Sequence, residues 1–167
     1  MTRGTPRRRP RWWLFAVVAL AWPQPSPAVD TESARPSLKG LPAFRVVVEQ
    51  LGSKAEKQTA LRREDLQADV EAQLAKAGIP VSKDAQALLY ANVAVVCDRL
   101  NCAFNIALEV QQRVRLELRP RAGTLIAPTW STGVTGLVGR RTDLIRQNLR
   151  DQVDQFVTAY RSANPAK

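Results

Sequence analysis

No histidine occurs anywhere in the sequence. That single absence removes imidazole acid–base chemistry, the Ser-His-Asp and Cys-His arrangements, and most zinc and iron sites. Two cysteines are too few for a metal cluster or a dense disulfide framework. Aromatic residues make up only 6% of the chain, so a packed core must rest mainly on aliphatic side chains. The longest apolar run, Trp12 to Trp22, is 11 residues. As a helix it would cover about 16 Å, roughly half of a bilayer core, so a spanning anchor is not expected.

What is present begins with charge. The formal net charge of +10 resembles a nucleic-acid signal, but its distribution argues otherwise. Five of the 25 basic residues (Arg3, Arg7, Arg8, Arg9, Arg11) precede the first apolar run, with no acidic residue among them. Without that segment 20 basic residues face 15 acidic ones, a net of +5. The remaining charges are interspersed, unlike the basic stripes that track phosphates, so no nucleic-acid partner is expected.

Residues 1–28 follow the order of a secretory signal peptide: the arginines, the apolar run, then Pro23-Gln24-Pro25-Ser26-Pro27-Ala28. Small residues at 26 and 28 place the cut between Ala28 and Val29. Pro10 and Arg11 stand where a twin-arginine signal needs apolar residues, so general secretion is favoured. The mature protein is thus expected in the periplasm or the medium, with no membrane span after cleavage. Residues 29–42 are polar and Pro-containing, which predicts a flexible lead-in, and residues 43–164 form one domain.

Within the domain, Phe44–Leu51 is rich in β-branched residues and predicts a strand, ended by a polar loop over Gly52–Gln58. A helix is expected from Thr59 or Arg62 to Ala77. Leu66, Val70 and Leu74 form its apolar stripe, and Gly78 with Pro80 marks its end. Leu88–Cys97 predicts a second strand. From Cys102 the alternation is strict: Phe104, Ile106, Leu108, Val110, Val114, Leu116 and Leu118 share one face, interrupted only by Gln112, which suits a bulge or a position past the covering helices. Thr124–Ser131 predicts a fourth strand, in which Pro128 implies an edge or a bulge. After a Gly-rich passage the last helix runs from Thr142 or Asp143 to about Ser162. Its stripe is Ile145, Leu149, Val153, Phe156 and Tyr160, Thr142 or Asp143 serves as its cap, and Arg150 pairs with Asp154. The β-α-β-β-β-α order predicts an α+β two-layer sandwich, a largely antiparallel four-stranded sheet with two helices on one face.

Two segments, Trp130-Ser131-Thr132-Gly133 and Val153-Asp154-Gln155-Phe156-Val157-Thr158-Ala159-Tyr160, followed by Ser162-Ala163-Asn164-Pro165, resemble a group of small exported bacterial proteins of uncharacterised function. The likeness extends loosely from the first strand to the C-terminus. It implies fold and export, and no activity.

Candidate sites are few. Cys97 and Cys102, separated by four residues and flanked by strands, are expected to form a disulfide clasping a hairpin; the gain for so short a loop is on the order of 2 kcal/mol. Their spacing is not C-x-x-C, and no further ligands support a metal. Gly133, Gly136, Gly139, Arg140 and Arg141 lead from a strand into a helix. That passage is a candidate anion or small-ligand site, in which backbone N–H groups and a helix dipole would face the anion. It lacks the Gly-Lys-Ser/Thr ending of a P-loop, and a flexible turn is the plainer reading. Trp130 and Tyr160 fit core packing better than a ligand platform. Asp65 with Asp69, or Glu64 with Glu71, are ordinary helix-surface carboxylates, and no catalytic residues, metal or cofactor are assigned. Arg113, Arg115 and Arg119 form a candidate interaction face, provided the sheet is uncovered. The leading expectation is an exported, non-enzymatic protein that binds an envelope protein partner. The alternative is an anion- or small-ligand-binding module built on residues 131–141.

Overall fold

The computed structural model describes residues 30–118, 123–139 and 141–165. The expected leader over 1–28 lies outside them. The elements are a 3-10 turn (Arg35–Leu38), β1 (Phe44–Val48), α1 (Ser53–Thr59), α2 (Arg63–Lys76), β2 (Ala87–Cys97), β3 (Cys102–Arg115), β4 (Thr124–Val138) and α3 (Asp143–Ala163). The sheet order is β1-β2-β3-β4. The β1–β2 pair is parallel, joined through the two helices, as parallel neighbours require a crossover connection. The β2–β3 and β3–β4 pairs are antiparallel hairpins. The α+β class and the four-stranded, largely antiparallel sheet agree with the sequence reading.

Periodicity explains the helices that were legible. Leu66, Val70 and Leu74 of α2 are buried, as are Ile145, Leu149, Val153 and Phe156 of α3. Gly78, at φ +75°, closes α2: its N–H donates to the Ala75 carbonyl, and the Ile79 N–H donates to the Leu74 carbonyl. These are the two bonds of a Schellman stop, which needs a left-handed residue where glycine has no steric cost. The structure corrects the expected loop over Gly52–Gln58, which is largely α1. That helix buries only Ala55 and Thr59, so it has no apolar stripe to read. Thr59 satisfies itself by donating its hydroxyl to the Ala55 carbonyl and accepting from the Leu61 N–H.

The N-terminal cap of α3 also differs. Thr142 makes no side-chain cap; its hydroxyl donates instead to the Thr59 carbonyl, tying α3 to the end of α1. The expected Arg150–Asp154 pair is replaced because α2 lies alongside α3. Arg150 reaches Asp69 at 3.2 Å, and Asp154 accepts from the Gln73 amide.

All three helices serve one face of the sheet. Phe156 of α3 packs edge-on against Phe44 of β1 (centroids 5.1 Å apart, planes at 86°) and against Trp130 of β4 (5.4 Å, 64°), so one ring touches both edge strands. Such pairs contribute about 0.5–1.5 kcal/mol each beyond the area they bury. Trp130 is therefore core, as its place on an apolar face implied, and half-buried Tyr160 packs against Phe44.

Strand β4 extends seven residues beyond the expected Ser131, to Val138. The Gly-rich passage is thus strand: Gly133 pairs with Ala107, and Gly136 with Phe104. A Cβ at Gly136 would stand 2.7 Å from two atoms of the buried Phe104 ring. The glycine is there because the aromatic ring lies across it. Pro128 behaves as expected, sitting on an edge strand beside the register shift that makes Thr129 the extra residue. Gln112, also beside the bulge, donates its amide to the Thr129 hydroxyl and the Ser37 carbonyl.

Gly136→Ala is expected to destabilise the fold by about 1–3 kcal/mol through overpacking against Phe104, read as a lower urea midpoint with an unchanged m-value. The pair Gly136→Ala with Phe104→Leu should recover part of that loss.

Candidate functional site

Because the helices cover one face, the other face of the sheet carries no covering element among the described residues. Alternation assigns its side chains. Cross-strand rows run Val96–Ala103–Leu137, Ala94–Asn105–Thr135, Asn92–Ala107–Gly133 and Tyr90–Glu109–Ser131, from the hairpin tip inward. The outermost row is apolar and open, with Val96 74% and Leu137 70% exposed. Leu100, at the tip of the β2–β3 turn, is 74% exposed beside it. In the next row the Asn105 amide donates to the Thr135 hydroxyl at 2.8 Å, and in the one after it Ala107 and Gly133 keep the surface low.

The turn that presents this end is held covalently. Cys97 and Cys102 are cross-strand partners with sulfurs at bonding distance, 2.07 Å, and Cα atoms 4.0 Å apart. The Asp98 carboxylate accepts from the backbone N–H groups of Leu100 and Asn101, both at 2.7 Å. The expected disulfide is thus in place, one residue from Val96.

Further along the same face, Glu49, just past the end of β1, accepts from the Tyr90 hydroxyl and the Asn92 amide of β2. That acceptor holds the Tyr90 hydroxyl protonated, pushing its pKa above the ordinary phenol value. The cluster is a bound network with a stabilised proton, the opposite of an activated nucleophile.

At the far end stand the arginines. Arg113 and Arg115 are exposed on β3, facing Ile126 and Thr124 of β4 across the ladder. Neither forms an ion pair among the described residues. Arg119, the third of the expected set, lies outside the described residues.

The candidate anion site is not assembled. Gly133 and Gly136 lie inside the β4 ladder instead of a turn aimed at a helix terminus. Arg141 pairs with Asp143 at 3.2 Å, Gly139 follows the strand, and Arg140 lies outside the described residues. A cleft of about 440 Å³ opens elsewhere, where Leu41 and Pro42 meet Asp84 and Arg113, and no residue of the 133–141 segment lines it.

The carboxylates weighed as acid–base pairs are also accounted for. Asp69 accepts from Arg146, with one contact at 2.7 Å, and from Arg150. The Arg146 guanidinium, hydrogen-bonded to it, holds its pKa below the usual carboxylate range despite partial burial.

Residues of the two motif segments turn out to fasten the N-terminal segment. The Trp130 indole N–H donates to Asp30 at 2.9 Å, and Asp30 also accepts three bonds from Arg35 Nε and Nη2. The Tyr160 hydroxyl donates to the Leu41 carbonyl, while Asn164 accepts from the Gly40 N–H and donates to the Leu38 carbonyl. Leu38 is fully buried. The expectation of a flexible lead-in is therefore corrected for residues 30–42, which are strapped across β4 and the end of α3. The signal was missed because the partners in β4 and α3 lie about a hundred residues away in sequence.

Comparison with known proteins adds little to this geometry. No family model and no curated protein matches the chain. Among solved structures it is similar to the PelC dodecamer from Paraburkholderia phytofirmans, at 12% identity and a TM-score of 0.40, over 67% of this chain and 83% of that one.

Asp30 and Asp69 both have lowered pKa values in the fold, each chiefly through a hydrogen bond from arginine. A depressed carboxylate contributes stability that is present above its unfolded pKa of about 3.9 and is lost as pH falls through the folded value. Urea midpoints should therefore decline from about pH 5 downward. Asp30→Asn and Asp69→Asn should each lower the midpoint at neutral pH and flatten that decline.

Proposed function

We propose that the chain is an exported, non-enzymatic protein of the periplasm or the medium that acts by binding a protein partner through the uncovered face of its sheet. The observation that carries this reading is the open apolar row Val96–Leu137, pinned beside a disulfide on a face that no helix among the described residues covers. A contiguous exposed apolar patch rimmed by polar groups is the usual mark of a contact surface. Its flat profile, with Ala103, Ala107 and Gly133 between larger side chains, suits a broad protein surface better than a small ligand.

Export is supported by the leader pattern over residues 1–28 and by the cysteine pair, which suits an oxidising compartment. No helix among the described residues is long and apolar enough to cross a membrane. The non-enzymatic part of the reading rests on how the polar groups are used. Glu49, Tyr90 and Asn92 satisfy one another, and Asp30 and Asp69 are neutralised by arginines. Arg113 and Arg115, at the other end of the face, form no ion pair among the described residues and can meet acidic groups.

A photo-cross-linking side chain placed at Leu137 or Val96 in the exporting cell should capture one discrete partner. The same label at exposed Lys76 or Asp151, on the helical side, should not. Leu137→Asp with Val96→Asp should abolish the capture while the purified protein keeps its melting temperature. Equal capture at all four positions, or capture that survives the aspartates, would remove the sheet face from consideration.

A further inference from the structure

The two edges of the sheet are guarded unequally. β1, on one side, is 5 residues long. Its outer edge starts out covered: the Phe44 N–H donates to the Pro80 carbonyl, and the Phe44 carbonyl accepts from the Ser82 N–H. β4, on the other side, runs for 15 residues. Its first half carries devices that keep an edge from pairing, Pro128 and the bulge at Thr129, whose carbonyl also accepts from the Ser37 hydroxyl. From Ser131 to Val138 there is no proline, no bulge and no charged side chain.

The ladder shows which backbone groups stay open there. At the β2–β3 turn the Asp98 N–H donates to the Asn101 carbonyl, so by alternation the even-numbered residues of β3 bond towards β4. Their partners are the even-numbered residues of β4, such as Val134 and Gly136. Ser131, Gly133, Thr135 and Leu137 therefore point their N–H and C=O groups away from the sheet. None of these backbone groups meets another partner among the described residues. Such a row of unpaired donors and acceptors is a template for one more strand.

We propose that β4 pairs antiparallel with β4 of a second copy of this chain, about a two-fold axis at Thr135. The sequence around that residue is complementary to itself. Leu137 stands opposite Gly133 of the second copy on the outer face, and Val134 stands opposite its Gly136 on the helical face. Each aliphatic side chain thus meets a glycine. Thr135 meets itself, a favourable cross-strand pair. The register also sets outward-pointing residues against outward-pointing residues, as exchanged backbone bonds require. With no charge in the segment, the two copies approach without repulsion. The assembly closes at two, because the edges left outside are the short β1 strands, already bonded at Phe44 and carrying exposed Arg45. The inference does not rest on the protein-partner reading, since edge pairing covers neither face of the sheet.

The test is sedimentation of the exported, processed protein over about 1–500 µM, a range that spans weak self-association. Its mass should rise from monomer to dimer. Amide hydrogen exchange at Gly133, Thr135 and Leu137 should slow over the same range, while that of ladder-bonded Val134 should not change. Thr135→Pro removes an outward N–H at a position where an edge strand tolerates proline, and should leave a monomer throughout. Thr135→Lys keeps the backbone, sets two ammonium groups on the axis and should weaken the dimer about fivefold. Unchanged melting by circular dichroism separates lost pairing from lost fold, and Thr135→Lys carries the test if the proline variant unfolds. Thr135→Cys should give a disulfide-linked dimer on mild oxidation, whereas exposed Lys83→Cys, beside β1, should not. A monomer at every concentration, a dimer indifferent to both substitutions, or equal cross-linking at both cysteines would overturn the inference. A monomer whose Thr135→Cys is captured in the exporting cell by a different protein would assign the edge to that protein's strand.

Discussion

Phe156 touches both edges of the sheet. Through Phe44 it holds β1, the short parallel edge strand, and through Trp130 it holds β4, the long antiparallel one. A four-stranded sheet has no covalent reason to keep its first and last strands in one layer. Here a single aromatic ring on a single helix supplies the contact, and deleting such a buried ring typically costs about 3–5 kcal/mol. The strap from Asp30 to Pro42 depends on the same knot, since it bonds to the Trp130 indole and the Tyr160 hydroxyl. The aromatic scarcity of the chain is thus concentrated where one side chain can serve several elements.

That arrangement is one-sided, and the function proposed here follows from the one-sidedness. With the helices on one layer, apolar residues on the other face have nothing among the described residues to cover them. The sheet answers with small and polar residues through its centre and leaves exposed apolar side chains at both ends. At one end a disulfide fixes the hairpin that presents Val96. At the other the ladder narrows to two strands and carries Arg113, Arg115, Leu116 and Leu118 away from the body.

Much of the fold was legible in the residues. Period-2 alternation located β3, period-3.6 stripes located α2 and α3, and Gly78 marked the end of α2 for the conformational reason that the structure displays. The failures have physical causes. Helix α1 has only one buried aliphatic side chain, Ala55, so no periodicity announces it. Gly133 and Gly136 read as a loop because glycine weakens strand propensity, yet Gly136 is demanded by the Phe104 ring across the ladder, a tertiary fact. The strap read as flexible because its polar sequence finds its partners about a hundred residues away. The apolar continuation to Leu118 read as core because alternation reports a face and says nothing of where the covering helices stop. Of the candidate sites, the disulfide was visible in spacing, and Arg113 and Arg115 were placed on the open face. The row Val96–Leu137 was not, since it joins residues that only register brings together.

The account's central claim is that the second sheet face is open in the isolated protein and covered where it works. Hydroxyl-radical footprinting read by mass spectrometry tests this directly, comparing the purified protein with the same protein in the exporting cell. Val96, Leu137 and Tyr90 should be modified readily in the purified protein and protected in the cell, while Phe104 and Ile106 stay protected in both. Equal modification of the outer-face residues in both settings would contradict the claim.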